Sequence, residues 1–458
     1  MASKYFSRAL IDKYNISGPR YTSYPTAVEF HGNFQAADFS NGIRQSDATK
    51  PVSLYIHVPF CDTLCYYCAC NKVITRDYTK SVQFIDKLKK EMALIAPLIK
   101  DRQVLQMHWG GGTPTFLTDE QIQDIIQFLH DNFTMLNNDE GEYGIEIDPR
   151  AVTPERIRNL REMGFNRLSL GVQDVNPEVQ KAVHRIQPNE ITEGVLNTAR
   201  EVGFVSTNLD LIYGLPFQNE TSFDQTLDQV LQWRPDRLSV FNYAHLPHLF
   251  KPQKRILAED LPSADEKLNI LDNAISKLSD NGYDFIGMDH FALPDDELSL
   301  AQKDGSLHRN FQGYTTHGEC DLIGFGPSAI SQVGQVYSQN LKTLDEYYDS
   351  LDKNNLPVWR GKILDEDDLI RRAVIVQLIC QFQLEFDDIN QQFAIDFQSY
   401  FADELSDYKA MQKDNLLTVD EKGIKIHAPG RLLIRNICMI FDKYLQRMQR
   451  QISFSKTI

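Results

Sequence analysis

Hydrophobic positions change rhythm along this chain. From about residue 53, short runs rich in β-branched and aromatic residues alternate with longer stretches whose apolar positions recur at helical spacing. The short runs predict strands at 54–58, 104–109, 143–147, 167–171, 206–212 and 237–242. The longer stretches predict amphipathic helices at 79–95, 119–133, 154–163, 190–202 and 223–233. Such alternation argues for an α/β architecture, a parallel sheet with helices outside, curled one way by right-handed crossovers. Six readable units are fewer than a closed eight-fold barrel needs, and an open, partial (β/α)6 barrel fits the count.

Beyond about residue 245 the pattern loosens. A helix is expected at 264–278, one strand at 283–291, and an apolar, glycine-punctuated loop at 321–330. A small, mainly helical domain follows from 361 to 458, with helices at 369–382 and 432–445 and a short strand-like piece at 423–427. It could pass for a winged helix that grips DNA, but Asp365, Asp367, Asp368, Asp387 and Asp388 argue against that; a lid or wall over the barrel mouth fits better. At the other end, residues 1–35 form an extended arm, because the prolines of Gly18-Pro19-Arg20-Tyr21-Thr22-Ser23-Tyr24-Pro25 block helix. The arm either lies on the surface or covers the active site, with Arg20 pairing a substrate carboxylate. The barrel domain occupies 36–360. No internal repeat or low-complexity segment is evident.

Composition narrows the partners. Across 458 residues, 42% hydrophobic and 24% charged content is ordinary for a globular protein. A formal charge of −16 argues against nucleic acid or an anionic membrane. The start, Met1-Ala2-Ser3-Lys4-Tyr5-Phe6, lacks the apolar core of a signal peptide, and no apolar run is long enough for a membrane span. A cytoplasmic, monomeric protein is expected.

Four of the seven cysteines fall within Cys61-Asp62-Thr63-Leu64-Cys65-Tyr66-Tyr67-Cys68-Ala69-Cys70. Zinc sites more often show two separated Cys/His pairs; the remaining three cysteines make no disulfide framework, and inert burial suits a lone cysteine better than a packed set. Three thiolates can hold a four-iron cluster while leaving one iron free for an outside ligand, whereas simple electron carriers use four. Zinc is the remaining alternative. Other polar residues converge on the same end of the predicted barrel, where barrel chemistry sits. Gly110-Gly111-Gly112-Thr113-Pro114 follows the second strand, Glu146-Ile147-Asp148 ends the third, Gln173 follows the fourth, Asp210 lies late in the fifth, and Tyr243-Ala244 ends the sixth.

The cysteine spacing after an apolar strand resembles the radical S-adenosylmethionine enzymes. The longer run Tyr55-Ile56-His57-Val58-Pro59-Phe60-Cys61, with Cys70-Asn71-Lys72 and Pro19-Arg20-Tyr21-Thr22-Ser23-Tyr24-Pro25-Thr26-Ala27, resembles the oxygen-independent coproporphyrinogen III oxidase family. That resemblance covers nearly the whole chain and implies a [4Fe-4S] cluster on Cys61, Cys65 and Cys68. It implies two molecules of S-adenosylmethionine divided among Tyr55, Tyr67, Gly111, Gly112, Thr113, Glu146, Gln173, Arg185, Asp210, Ala244 and Ile330. Tyr55 and Cys70 are expected to be catalytic on the same ground, and Tyr67 departs mildly from a family that often has Phe there. The implied reaction converts two propionates of coproporphyrinogen III to vinyl groups through a 5′-deoxyadenosyl radical, giving protoporphyrinogen IX. A reduced flavodoxin- or ferredoxin-type protein is the expected electron donor. A haem-binding chaperone on the same scaffold, or a radical enzyme acting on another tetrapyrrole, stays open.

Overall fold

The computed structural model describes residues 4–445; residues 1–3 of the expected arm and 446–458 of the expected C-terminal domain lie outside the described residues. The chain forms two compact units. One comprises Phe30–Lys267 and Glu319–Ile363, the other Met1–Glu29, Leu268–Gly318 and Leu364–Ile458.

The larger unit is built on one sheet. Strands β1 (Val52–Val58), β2 (Gln103–Gly111), β3 (Glu142–Ile147), β4 (Arg167–Gln173), β5 (Ser206–Tyr213) and β6 (Arg237–Asn242) lie side by side in chain order, all parallel. All six strands expected from the hydrophobic pattern are present. Helices α1 (Lys80–Ile95), α2 (Asp119–Asn132), α3 (Pro154–Glu162), α4 (Asn189–Glu201) and α5 (Glu220–Trp233) make the crossovers that parallel pairing requires. Their starts are written locally. Thr118 and Gln121 cap α2 reciprocally, Asn219 and Ser222 do the same for α5, and Thr153 precedes Pro154 at the head of α3. Each cap contributes about 1 kcal/mol. The inward stripe of α2, Ile122, Ile125, Ile126 and Leu129, is fully buried at the expected spacing.

The stretch expected as an apolar loop is instead a strand, β7 (Asp321–Phe325), buried along its length and parallel to β1. A strand covered on both faces reads as a continuous apolar run, which periodicity cannot separate from a loop. Three antiparallel strands, β8 (Ile330–Val333), β9 (Val336–Asn340) and β10 (Val358–Ile363), extend the sheet beyond it.

The second unit has its own core. Phe386 and Phe397 stack at 4.4 Å, and Phe401, Tyr408 and Phe441 close around them. A small antiparallel sheet of Leu417–Val419, Gly423–Ile426 and Gln383–Glu385 flanks the helix Glu366–Gln381. The helix expected at 432–445 is broken into Ala428–Leu432, Ile434–Cys438 and a short 3-10 turn. The strand expected at 283–291 is a hairpin, Asp284–Gly287 against His290–Ala292, turned at left-handed Gly287 and Met288. The arm contains a helix that its proline-rich stretch hid, Arg8–Tyr14. Arg435 anchors the arm by donating to the carbonyls of Gly18 and Pro19, and Tyr21 donates to Asp442 at 2.9 Å.

Candidate active site

The polar residues of the larger unit gather at the carboxyl ends of its parallel strands. The cysteine loop leaves β1 through Phe60–Cys61, which pairs with Val73–Ile74 and so folds the loop back on itself. Tyr66 stacks on His184 at 5.0 Å, and the Leu64 carbonyl meets His184 Nδ1 at 2.8 Å. The loop is thereby docked on the segment after β4.

Each loop sulfur has a different neighbour. Cys61 Sγ lies 3.5 Å from the Thr113 hydroxyl, and burial pushes its thiol up to about 11. Cys65 is buried and accepts from both Arg150 and Arg185 at 3.6 Å. Cys68 and exposed Cys70 share a hydrogen bond that pulls Cys68 down toward the thiolate and pushes Cys70 up. Three soft donors, one of them beside two guanidinium groups, favour a bound, electron-rich metal–sulfur group.

The glycine run is packed too closely for side chains. A Cβ on Gly112 would sit 2.6 Å from the Phe60 carbonyl oxygen, and one on Gly110 2.7 Å from Glu146. Gly111 has φ +113°, which glycine alone adopts freely, and its missing Cβ leaves room for the His57 ring. His57 Nε2 must donate to the Asn71 carbonyl at 2.9 Å, so Nδ1 accepts from the Tyr55 hydroxyl at 3.0 Å. Burial holds this imidazole neutral. Tyr55 also stacks on His108, whose Nε2 is 3.2 Å from Glu146.

Arg185 is buried, with Nη1 3.1 Å from Asp148, Nη2 2.5 Å from the Gly171 carbonyl, and Nε without a partner among the described residues. Asp148 also holds Arg150 and is kept below the usual carboxylate range by the two arginines, against the pull of its burial. Asp210 accepts from Asn208 at 2.8 Å and from Ser169 at 3.5 Å. Burial, and then Glu146, push it up to about 6. Gln173 is buried in a left-handed conformation, φ 69°, strain that a non-glycine residue carries where its surroundings fix it.

Two family models match: the radical SAM superfamily over residues 55–230 and the HemN C-terminal domain over 364–433. The oxygen-independent coproporphyrinogen III oxidase of Pseudomonas aeruginosa is 53% identical over 98% of both chains, and that of Escherichia coli 52% identical over the same shares. The chain belongs to the oxygen-independent coproporphyrinogen III oxidase family. The solved structure described as coproporphyrinogen III oxidase (HemN) from Escherichia coli, a radical SAM enzyme, superposes with TM-score 0.92 at 51% identity, covering 96% of this chain and all of that one.

Within the family frame, Cys61, Cys65, Cys68, Cys70, Tyr55, Tyr67, Gly111, Gly112, Thr113, Glu146, Gln173, Arg185, Asp210, Ala244 and Ile330 all belong to the larger unit. Ala244 is exposed just past β6, and Ile330 is half-buried at the start of β8. Tyr67 packs beside the buried cluster of Val179, Val183, Leu215, Tyr243 and Ile256. Arg20 belongs to the other unit, where its guanidinium lies 3.4 Å from Asp289. Sequence reasoning named Asp148 as part of a strand end and His57 within a longer run without giving either a role, and it passed over His108 and Arg150. The pair Asp148 and Arg150, directly after a strand end, carried a readable signal; the two histidines sit inside apolar strands and carried little.

Proposed function

We propose that this chain carries out the oxygen-independent oxidative decarboxylation of coproporphyrinogen III, turning two propionates into vinyl groups to give protoporphyrinogen IX in haem biosynthesis. One observation carries the reading: a three-cysteine loop with two arginines on Cys65 and a close-packed glycine run beside it, in a chain matched over 98% of its length by relatives of that name. The donor set fits a [4Fe-4S] cluster on Cys61, Cys65 and Cys68, and the buried Arg185 Nε, which has no partner among the described residues, fits the carboxylate of S-adenosylmethionine. When bound, these groups supply reductive cleavage of a sulfonium and the carbon radical that abstracts hydrogen.

The residues of the chain do the positioning. Glu146 and Asp210 offer acceptors to ribose hydroxyls and negative charge to a sulfonium, and Arg185 donates to a carboxylate. Gly111, Gly112 and Thr113 present backbone and a hydroxyl beside Cys61, Tyr67 packs an adenine, and Gln173, Ala244 and Ile330 complete the walls. Two molecules of S-adenosylmethionine divide these contacts. Tyr55, fixed by neutral His57, and exposed Cys70 face the reacting groups, and Arg20 meets a substrate carboxylate. Each propionate would give up a hydrogen atom from its β-carbon, carbon dioxide, and one electron that passes to an external one-electron acceptor. The electron donor is a flavodoxin- or ferredoxin-type protein, and the protein acts as a monomer in the cytoplasm; no helix among the described residues is long and apolar enough to cross a membrane.

Anaerobic turnover of the reconstituted protein with dithionite, S-adenosylmethionine and coproporphyrinogen III tests this directly. Protoporphyrinogen IX and 5′-deoxyadenosine are the expected products. Substrate recovered unchanged while the cluster spectrum is intact would overturn the assignment.

A further inference from the structure

An aromatic stack leads from solvent to the cysteine loop. Tyr78 is 51% exposed, and its ring stacks on buried Phe116 at 4.7 Å and 23°. Phe116 in turn stacks at 5.0 Å on Phe60, which is 0% exposed and covalently adjacent to Cys61. Tyr78 and Phe116 also line a cleft of about 450 Å³, together with Asp62, Arg150 and Thr113, whose hydroxyl reaches Cys61 Sγ.

The surface around Tyr78 is both apolar and basic, and it is the one that the aromatic stack joins to the cysteine loop. Ile74 and Val82 are 41% and 56% exposed, which gives three large apolar side chains within nine residues. Between residues 72 and 80 stand Lys72, Arg76 and Lys80 against Asp77 alone, in a chain whose net charge is −16. Arg76 and Lys80 are exposed and make no ion pair among the described residues, whereas Asp77 accepts from the Thr79 hydroxyl and backbone. The segment is tied to the loop it borders, Thr75 N–H donating to the Cys61 carbonyl at 2.9 Å. Apolar side chains rimmed by unpaired cations are the surface that an acidic partner recognises.

We propose that Ile74, Arg76, Tyr78, Lys80 and Val82 form the docking surface for an acidic one-electron-donor protein, and that Tyr78, Phe116 and Phe60 bridge it to Cys61. This rests on the proposed reading of Cys61 as a cluster ligand. One electron leaves the donor and one arrives at the cluster, with no proton or bond exchanged. The rings act as a packed tunnelling medium and are not themselves reduced.

The test uses reconstituted holoenzyme and flavodoxin as the probe. Calorimetry with oxidised flavodoxin measures docking, and stopped-flow absorbance with the reduced form measures cluster reduction. Arg76→Glu/Lys80→Glu should weaken binding by about tenfold or more at low salt and remove most of its salt dependence. Reduction by dithionite, and the turnover it supports, should be unchanged in that variant. Phe116→Leu should leave binding unchanged and slow reduction by the bound donor several-fold. Equal binding and reduction in wild type and the charge-reversed variant would overturn the docking surface. Loss of the cluster spectrum in every preparation would instead overturn the reading beneath it.

Discussion

Glu91 and Asp210 are both carboxylates taken out of water in the same unit, and the fold treats them in opposite ways. Glu91, on the inward face of α1 and 2% exposed, accepts from the Gly326 N–H at 2.9 Å, Asn340 at 2.6 Å and the Tyr347 hydroxyl at 2.5 Å. Those three neutral donors stitch α1 to the turn after β7, to β9 and to the helix Leu344–Asp352. Asp210 is steadied by Asn208, by Ser239 and by more distant Ser169, with Glu146 close enough to repel it. No arginine or lysine bonds to it among the described residues. A carboxylate saturated by neutral donors holds structure together; one set beside a like charge with no cation is kept for a positively charged ligand. In the proposed reading that ligand is a sulfonium.

The largest expected effect lies wholly on the site side of this contrast. Cys68→Ser should abolish the cluster chromophore and lower turnover by about a thousandfold or more, while urea unfolding of the apoprotein moves by no more than about 0.5 kcal/mol. Cys70→Ser should keep the chromophore. If both variants lose it equally, the ligand set has been misassigned.

On the structural side, Glu91→Ala strands three buried donors at once, and a loss of about 3–5 kcal/mol in urea unfolding is expected. Affinity of the folded fraction for S-adenosylmethionine should change little. A loss below about 1 kcal/mol would mean that water replaces the carboxylate and that the network holds nothing in place.

Asp210→Asn should show the reverse signature. It relieves repulsion with Glu146, so stability should hold or rise. Calorimetry should find S-adenosylmethionine bound about 10- to 100-fold more weakly, the loss of one close charge contact. Unchanged affinity would remove Asp210 from the site.

How much of this was legible beforehand follows from what each residue touches locally. The barrel strands and helices could be read because period and caps are written within a few neighbours, as at Thr118 with Gln121. The cysteine loop, the glycine run, Glu146, Gln173 and Asp210 could be placed because a strand end is also a position in space. Strand β7 could not, since burial on both faces erases the alternation that marks a strand. Glu91 stayed hidden although the signal was present: it occupies an inward position among Phe84, Leu88, Met92 and Ile95. Arg150 was half-legible through its local pairing with Asp148, but its contact with Cys65, like that of His57 with Asn71, is one that no local pattern reveals.

The last effect is also the one that separates the two carboxylates most cleanly, because it reads their protons. Burial raises both: Glu91 from 4.5 to about 7, and Asp210 from 3.8 to about 6. A carboxyl raised on folding binds protons more tightly in the native state. Its stabilising contribution is therefore complete below the unfolded value and is lost as pH rises through the folded one. The share of unfolding free energy that these two groups contribute should decline by about 5 kcal/mol between pH 4 and 7. Glu91→Gln should remove the upper part of that decline and Asp210→Asn the lower part. A cationic ligand must bind the ionised form of Asp210, so affinity for S-adenosylmethionine should rise through about pH 6 and then level off. Asp210→Asn should flatten that rise, whereas Glu91→Gln, sealed from the ligand by Tyr347 and Asn340, should leave it in place. An affinity profile that followed Glu91 instead would mean that the saturated carboxylate is the one coupled to the ligand, and the contrast between the two would be reversed.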